Sequence, residues 1–276
     1  MNSNIVENGG LIENANHLLC GKEDLFDGIT LSTADEQWSS ASEFGQRLQD
    51  SLEHWKSLSK RGVWLKIAIQ HSELIPEAVK NKFVFHHAQP LYVMMTAWLP
   101  SNEPNQLPGY ASNYIGVGGF VTNDKNELLV IKEKYTYGRR AIWKLPGGHA
   151  DLDEELAATA KREVKEETGI DAEFVSIVCF RHQHKYKFNQ SDIYFVCHMR
   201  ALTNEIKTCP HEIAECRWMN LDEYLVDPDV TNFNKEITKR YLQNQKSNQS
   251  IQPDQLWSTF SNAYQLMYSI HAGKAD

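Results

Sequence analysis

Three carboxylates stand close together at Glu163, Glu166 and Glu167, inside the run REVKEETGI that begins at Arg162. On an α-helix turning about 100° per residue, Glu166 lies about −60° and Glu167 about +40° from Glu163, so all three share one arc. Like charges three and four residues apart cost a helix roughly 0.2–0.5 kcal/mol per pair, and a purely structural helix is expected to intersperse lysine there. A divalent cation removes that conflict. Magnesium prefers oxygen ligands at about 2.0–2.1 Å, keeps several waters and takes its remaining partners from substrate phosphates. The arc therefore reads as half of a metal site awaiting a diphosphate, with a metal-activated water as the attacking group.

The flanking residues supply what such a helix needs. Arg162, beside a cluster of acids, reads as an orienting partner for Glu154 rather than as a substrate ligand. Pro146-Gly147-Gly148 offers a tight turn whose backbone N–H groups suit phosphate oxygens or the placing of the helix. Ala157, Ala160 and Val164 recur at i, i+3 and i+7, a stripe of small residues through which the helix approaches a sheet. Asp151 or Asp153 suits the N-cap, and Gly169 stands where a left-handed residue would end the helix.

Gly148, five residues, Glu154, seven residues, then Arg-Glu-apolar-x-Glu-Glu-x-Gly-apolar from Arg162 to Ile170 resembles the Nudix box in full. Nine specified positions make this a far more specific signal than a lone glycine-rich turn. The resemblance implies an α/β/α sandwich with a mixed sheet, and magnesium or manganese held by Glu163 and Glu167 with help from Glu166. It also implies Arg162 and Glu154 as the supporting pair, and water attack at phosphorus. Asp153 departs from the pattern, since many members have glycine there. The likeness extends through LPGYASNYIGVGGFV, FRHQH and CRWMNLDEY to the branch that includes the vertebrate antisense basic fibroblast growth factor Nudix protein and plant ADP-ribose/NADH pyrophosphatases. In that branch the first unit is a small α+β pre-Nudix domain with an acetyltransferase-like fold.

Isolated residues carry less. His182 and His184 alternate in FRHQHKYKF and read equally as a solvated strand end or as a substrate or phosphate contact. Glu212, in the loop before a strand, is where several Nudix enzymes place an extra acid, and it stands behind Glu166 as a candidate base. Trp143 and Tyr135 suit stacking on a base, yet aromatic packing in a core is commoner.

Positioning these groups takes two domains, and 276 residues with 41% hydrophobic content suffice for two cores. Residues 1–24, rich in Asn and Glu, read as a disordered leader with neither a signal peptide nor a basic transit stripe, which points to the cytoplasm. Residues 25–107 read as the α+β unit. It holds a strand at Leu25–Leu31, a helix at about Ser40–Ser59, a strand from Val63, a short helix at Pro76, and strands at Phe83–His86 and Leu91–Leu99. PSNEPNQLPG is the linker. Residues 108–242 read as the catalytic domain, with strands at Tyr114–Val121, Leu128–Glu133, Phe174–Arg181, Ile193–Met199 and Cys216–Met219 around the carboxylate helix. Helical segments begin at Leu221 and Phe233. Residues 243–276 read as a polar, mobile linker and a docked C-terminal helix carrying Leu256, Trp257, Phe260, Tyr264 and Met267.

A net charge of −8 argues against a broad nucleic-acid footprint, which draws on many Lys and Arg. No apolar run approaches the roughly 20 residues of a membrane-spanning helix. Five cysteines without a C-x-x-C pair read as reduced, buried thiols. The expectation is magnesium-dependent hydrolysis of the pyrophosphate bond in a small nucleoside diphosphate derivative, foremost ADP-ribose or NADH, with room for a homodimer. Coenzyme A, dinucleoside polyphosphates and capped RNA remain open, because the box does not choose a substrate. So does a catalytically weak Nudix fold used as a binding module, against which the intact carboxylate set argues.

Overall fold

The computed structural model describes residues 17–136, 138, 140–259 and 261–272. The chain divides into two units, Met1–Ala111 and Ser112–Asp276. Most of the expected leader, together with Phe260 of the expected C-terminal stripe, lies outside the described residues.

The first unit begins with β1 (Lys22–Glu23), β2 (Ile29–Ser32), α1 (Ala41–Ser57) and β3 (Gly62–Ala68). It continues with α2 (Ile75–Lys80), β4 (Val84–Gln89) and β5 (Tyr92–Trp98). Its sheet runs β1-β2-β3-β5-β4, parallel between β2 and β3 and antiparallel elsewhere. The Ser40 hydroxyl accepts the Glu43 N–H and starts α1, whose Phe44, Leu48 and Trp55 recur at helical spacing. They share a core with Val63, Leu65 and Ile67, the alternate residues of β3.

The second unit begins with β6 (Asn113–Thr122), β7 (Glu127–Glu133), β8 (Gly147–His149), α3 (Leu156–Thr168) and β9 (Ala172–Gln183). There follow β10 (Ser191–Ala201), β11 (Ile213–Asn220), α4 (Leu221–Val226), α5 (Asn232–Ser247), β12 (Gln249–Ser258) and β13 (Ala263–Ala272). Its sheet runs β11-β7-β6-β10-β9-β12-β13, with β8 against β6. The β6–β10 pairing is parallel and the others are antiparallel, so the sheet is mixed as expected. Strand alternation splits β6 between two cores. Val117 and Val121 pack with Ala160 and Val164 of α3, while Phe120 packs with Tyr224 of α4 and Ile237 and Tyr241 of α5. Helices on both faces make the α/β/α sandwich.

Five expectations are corrected. The C-terminal segment is a hairpin, not a helix: β12 pairs β13 from Gln249↔Ala272 to Ser258↔Ala263. Tyr264, Leu266, Tyr268 and Ile270 alternate with period two, which competes with the helical spacing of the stripe and wins once a partner strand is present. The polar stretch from Gln243 is not a linker at its start, since α5 continues to Ser247 and ends at Asn248 in the left-handed region, φ 50°. The end of the leader is ordered: Leu19 is buried in the first core, its N–H donating to Ser51 Oγ at 2.8 Å. Among the five free thiols only Cys197 is fully buried, and Cys20 is exposed. The strand expected at Leu25–Leu31 is confined to Ile29–Ser32, with Leu25 and Phe26 exposed before it. Among the described residues no helix is long and apolar enough to cross a membrane.

Candidate active site

The Pro146-Gly147-Gly148 turn and α3 are built around each other. The Gly119 N–H donates to Pro146 O at 2.8 Å, fastening the turn to β6. Gly147 has φ 152°, and a side chain there would strike the Val117 carbonyl. A side chain at Gly148 would collide with the Glu163 carboxylate, so the glycine makes the room that Glu163 occupies. The Gly147 N–H donates to Glu167 Oε2 at 2.8 Å. The two glycines thus place carboxylates, and the Gly147 N–H assigned to phosphate in the sequence reading is engaged with Glu167.

The helix starts one turn later than the Asp caps predicted. Glu155 is the N-cap residue and caps without its side chain, and Asp153 instead takes the left-handed region at φ 61°. That conformation explains why glycine suits this position. Thr159, not singled out by the pattern, donates its hydroxyl to Glu154 Oε2 at 2.9 Å. The helix ends at Gly169, φ 74°, as its glycine foretold.

Arg162 joins the acids. Its Nε and Nη2 donate to the two oxygens of Glu154, each at 2.9 Å, the parallel fork that gives the strongest arginine–carboxylate pairing. Nη1 donates to Glu163 Oε1 at 2.8 Å and to Glu166 Oε2 at 3.2 Å, and Nη2 also reaches the His149 carbonyl at 3.1 Å. The Arg162 fork, aided by the Asp151 N–H and the Thr159 hydroxyl, holds the Glu154 carboxyl down at about 2. Among the described residues no three Asp, Glu, His or Cys side chains close round one point.

Burial separates the three helix carboxylates. Glu166 is exposed, Glu163 half-buried, and Glu167 only 6% exposed. Desolvation pushes the Glu167 carboxyl up to about 7, against the opposing pull of the Gly147 N–H and the Lys144 charge, with Glu163 and Glu133 raising it further. Lys144 and Glu133 pair with each other. Neither was singled out by the sequence pattern, although Lys144 lies only three residues before Gly147. Its relevance comes from the bridge that pairs it with Ile131, which no local spacing reveals.

The remaining candidates fall elsewhere. His182 and His184 are exposed, 4.4 Å apart by ring centroid, and bond to Asn113 Oδ1 at 3.2 Å and Ser191 Oγ at 2.9 Å. Neither bonds a helix carboxylate. Glu212 is exposed in the turn before β11, where its carbonyl accepts the Lys134 N–H at 2.8 Å. Trp143 is a core residue, flanked by the Lys132 ammonium at 4.4 Å and the Arg217 guanidinium at 4.8 Å, while Tyr135 is exposed.

A Nudix hydrolase domain model matches residues 19–99, and a NUDIX domain model matches residues 113–241. Nudix hydrolase 8 of Arabidopsis thaliana is 40% identical over 231 residues, which is 82% of this chain and 62% of that relative. The chain therefore spans less than two thirds of its length. Nucleoside diphosphate-linked moiety X motif 6 of Homo sapiens is 34% identical over 230 residues, covering 81% of this chain and 72% of the relative. Among solved structures, the MutT protein from Methanosarcina mazei Go1 aligns at 24% identity with a TM-score of 0.43, over 50% of this chain and 98% of that one.

Proposed function

The chain belongs to the Nudix hydrolase family, and from that premise we propose that it cuts the pyrophosphate bond of nucleoside diphosphate derivatives, ADP-ribose or NADH foremost, with magnesium or manganese. The observation that carries this reading is the fit between the Gly147-Gly148 turn and α3, in which Gly148 leaves the room that Glu163 occupies and the Gly147 N–H holds Glu167 Oε2. The preference for ADP-ribose or NADH rests on the likeness of the segments around FRHQH and CRWMNLDEY to that branch of the family. The free thiols suit a reducing compartment such as the cytoplasm.

A divalent metal fits the residues present. Glu163, Glu166 and Glu167 offer only hard carboxylate oxygens, and Glu167 is a nearly buried carboxylate with no ion pair of its own among the described residues. When bound, the metal neutralises the diphosphate and lowers the pKa of an attacking water. The chain's own residues do the rest. Glu154 locks Arg162, Arg162 orients Glu163 and Glu166, and the Gly147 N–H fixes Glu167 Oε2. Exposed Glu166, paired with Arg162, takes the proton from the attacking water, and Glu212, exposed in the turn before β11, ranks below it because it lies outside the carboxylate helix. The products are a nucleoside monophosphate and a phosphorylated remainder.

A panel of nucleoside diphosphate derivatives, incubated with the full chain and magnesium or with a chelator, tests this. AMP is expected from ADP-ribose or NADH with magnesium and not with the chelator. Equal turnover in both conditions, or no product from any member of the panel, contradicts it.

A further inference from the structure

Three aromatic rings from three different elements meet next to the Gly147-Gly148 turn. Tyr114 of β6 lies 5.6 Å from the ring of His149 in β8, and Tyr186 of the β9–β10 loop lies 6.0 Å from Tyr114 and 5.9 Å from His149. All three are half-buried, and none belongs to either core of the second unit. His149 directly follows Gly148, which makes the room for Glu163, and its carbonyl is held by Arg162 at 3.1 Å. The backbone of His149 thus ties the cluster to Arg162, which also holds Glu163.

Its surroundings are basic in an acidic chain. The segment that carries Tyr186 holds His182, His184, Lys185 and Lys187 and no Asp or Glu, in a protein of net charge −8, while Arg181 before it is paired with Asp192 at 3.0 Å. The Lys187 ammonium stands 5.5 Å from the Tyr186 ring centroid. The loop that carries Tyr186 is held in shape by its own bonds, with Tyr186 N–H donating to Gln190 O at 2.8 Å and Gln190 N–H to Lys187 O at 3.0 Å. Lys185, Phe188 and Asn189 adopt positive φ, and Phe188 is 89% exposed at the tip.

We propose that Tyr114, His149 and Tyr186, with the Lys185–Lys187 segment, form the subsite that receives the substrate's nucleobase and draws in its phosphates; this rests on the pyrophosphohydrolase reading above. The base stacks on the Tyr186 side of the cluster. Because every base has a π-face, stacking of this kind is tolerant of base identity, so the subsite separates nucleotides from baseless phosphates more than one base from another. Lys185 and Lys187 contribute long-range attraction that weakens with salt.

Calorimetric titration of the full chain with AMP and with ribose 5-phosphate, both in chelator, isolates the base from metal and from turnover. Wild type is expected to bind AMP about tenfold more tightly, within the range that aromatic stacking of one base supplies. Tyr186→Ala is expected to bring the two ligands within about twofold, and Tyr186→Phe, which keeps the ring, to retain the preference. Circular dichroism of both variants reports whether the fold is kept. Equal affinities in wild type, or an AMP preference that survives in folded Tyr186→Ala, overturns the proposal. If the preference is present but no diphosphate derivative is cleaved, the subsite stands and the hydrolase reading falls.

Discussion

Glu167 differs from the other two box carboxylates in a way that is measurable without any substrate. Its carboxyl is pushed up to about 7 by burial, above the ordinary value of 4.5. A group whose pKa is raised on folding contributes stability that is complete below the unfolded value and lost as pH rises through the folded one. Glu167 thus favours the folded state below about pH 4.5 and costs stability by pH 8 in the absence of metal. Glu167→Gln is expected to lower turnover by about 10²- to 10³-fold at saturating magnesium, a few kcal/mol of transition-state stabilisation. In chelator at pH 8.5 the same variant is expected to be more stable than wild type by roughly 1–3 kcal/mol, the gain vanishing at pH 4.5. Urea melts at the two pH values check this; near-normal turnover would remove Glu167 from the metal assignment, and an unchanged melt at pH 8.5 would mean that its buried charge costs the fold nothing. The helix arc showed in sequence that Glu163, Glu166 and Glu167 share a side of α3. Which of them turns toward the sheet was not legible, because angular spacing does not say which edge of the arc meets the turn at Gly147.

At the scale of elements, the approach of α3 to β6 decides whether the carboxylates reach the turn. A methyl group on Gly119 would run into Val164 Cγ2, a branched side chain fixed in the core beneath α3. Gly119→Ala is therefore expected to destabilise the protein by about 1–3 kcal/mol, the range for overpacking, and to lower kcat by displacing Glu163 and Glu167 with the helix. Thermal melts and kcat at saturating substrate measure both effects; wild-type kcat in a folded variant would show that the helix position has slack. The small-residue stripe Ala157, Ala160 and Val164 announced this close approach, and Gly169 announced the end of the helix. The start was misplaced because Asp153 reads as a cap in isolation, while the chain uses it for a left-handed turn. The C-terminal hairpin was missed for a related reason: Leu256, Trp257, Tyr264 and Met267 are compatible with a helix, and only the pairing of β12 with β13 discriminates. The Tyr114–His149–Tyr186 cluster had no local signature at all, since its members are 35 and 37 residues apart in sequence and the sheet brings them together.

For the whole molecule, the signal in the sequence that bears on its organisation is the proline-rich linker. The proline-rich stretch ending at Gly109 lies just before Ser112, where the second unit begins, and each unit has its own buried core. Sequence distance hides only what depends on tertiary pairing, such as Lys144 and Glu133 near Glu167. The central claim is that the second unit directs water to phosphorus within a pyrophosphate. Incubating the protein with ADP-ribose and magnesium in heavy-oxygen water, followed by mass spectrometry of the products, tests it most directly. Cleavage within the pyrophosphate places the label on the phosphate of AMP or of ribose 5-phosphate and leaves both sugars unlabelled. Label in a free ribose hydroxyl, or adenine as the first product, would mean glycosidic chemistry and would contradict the account.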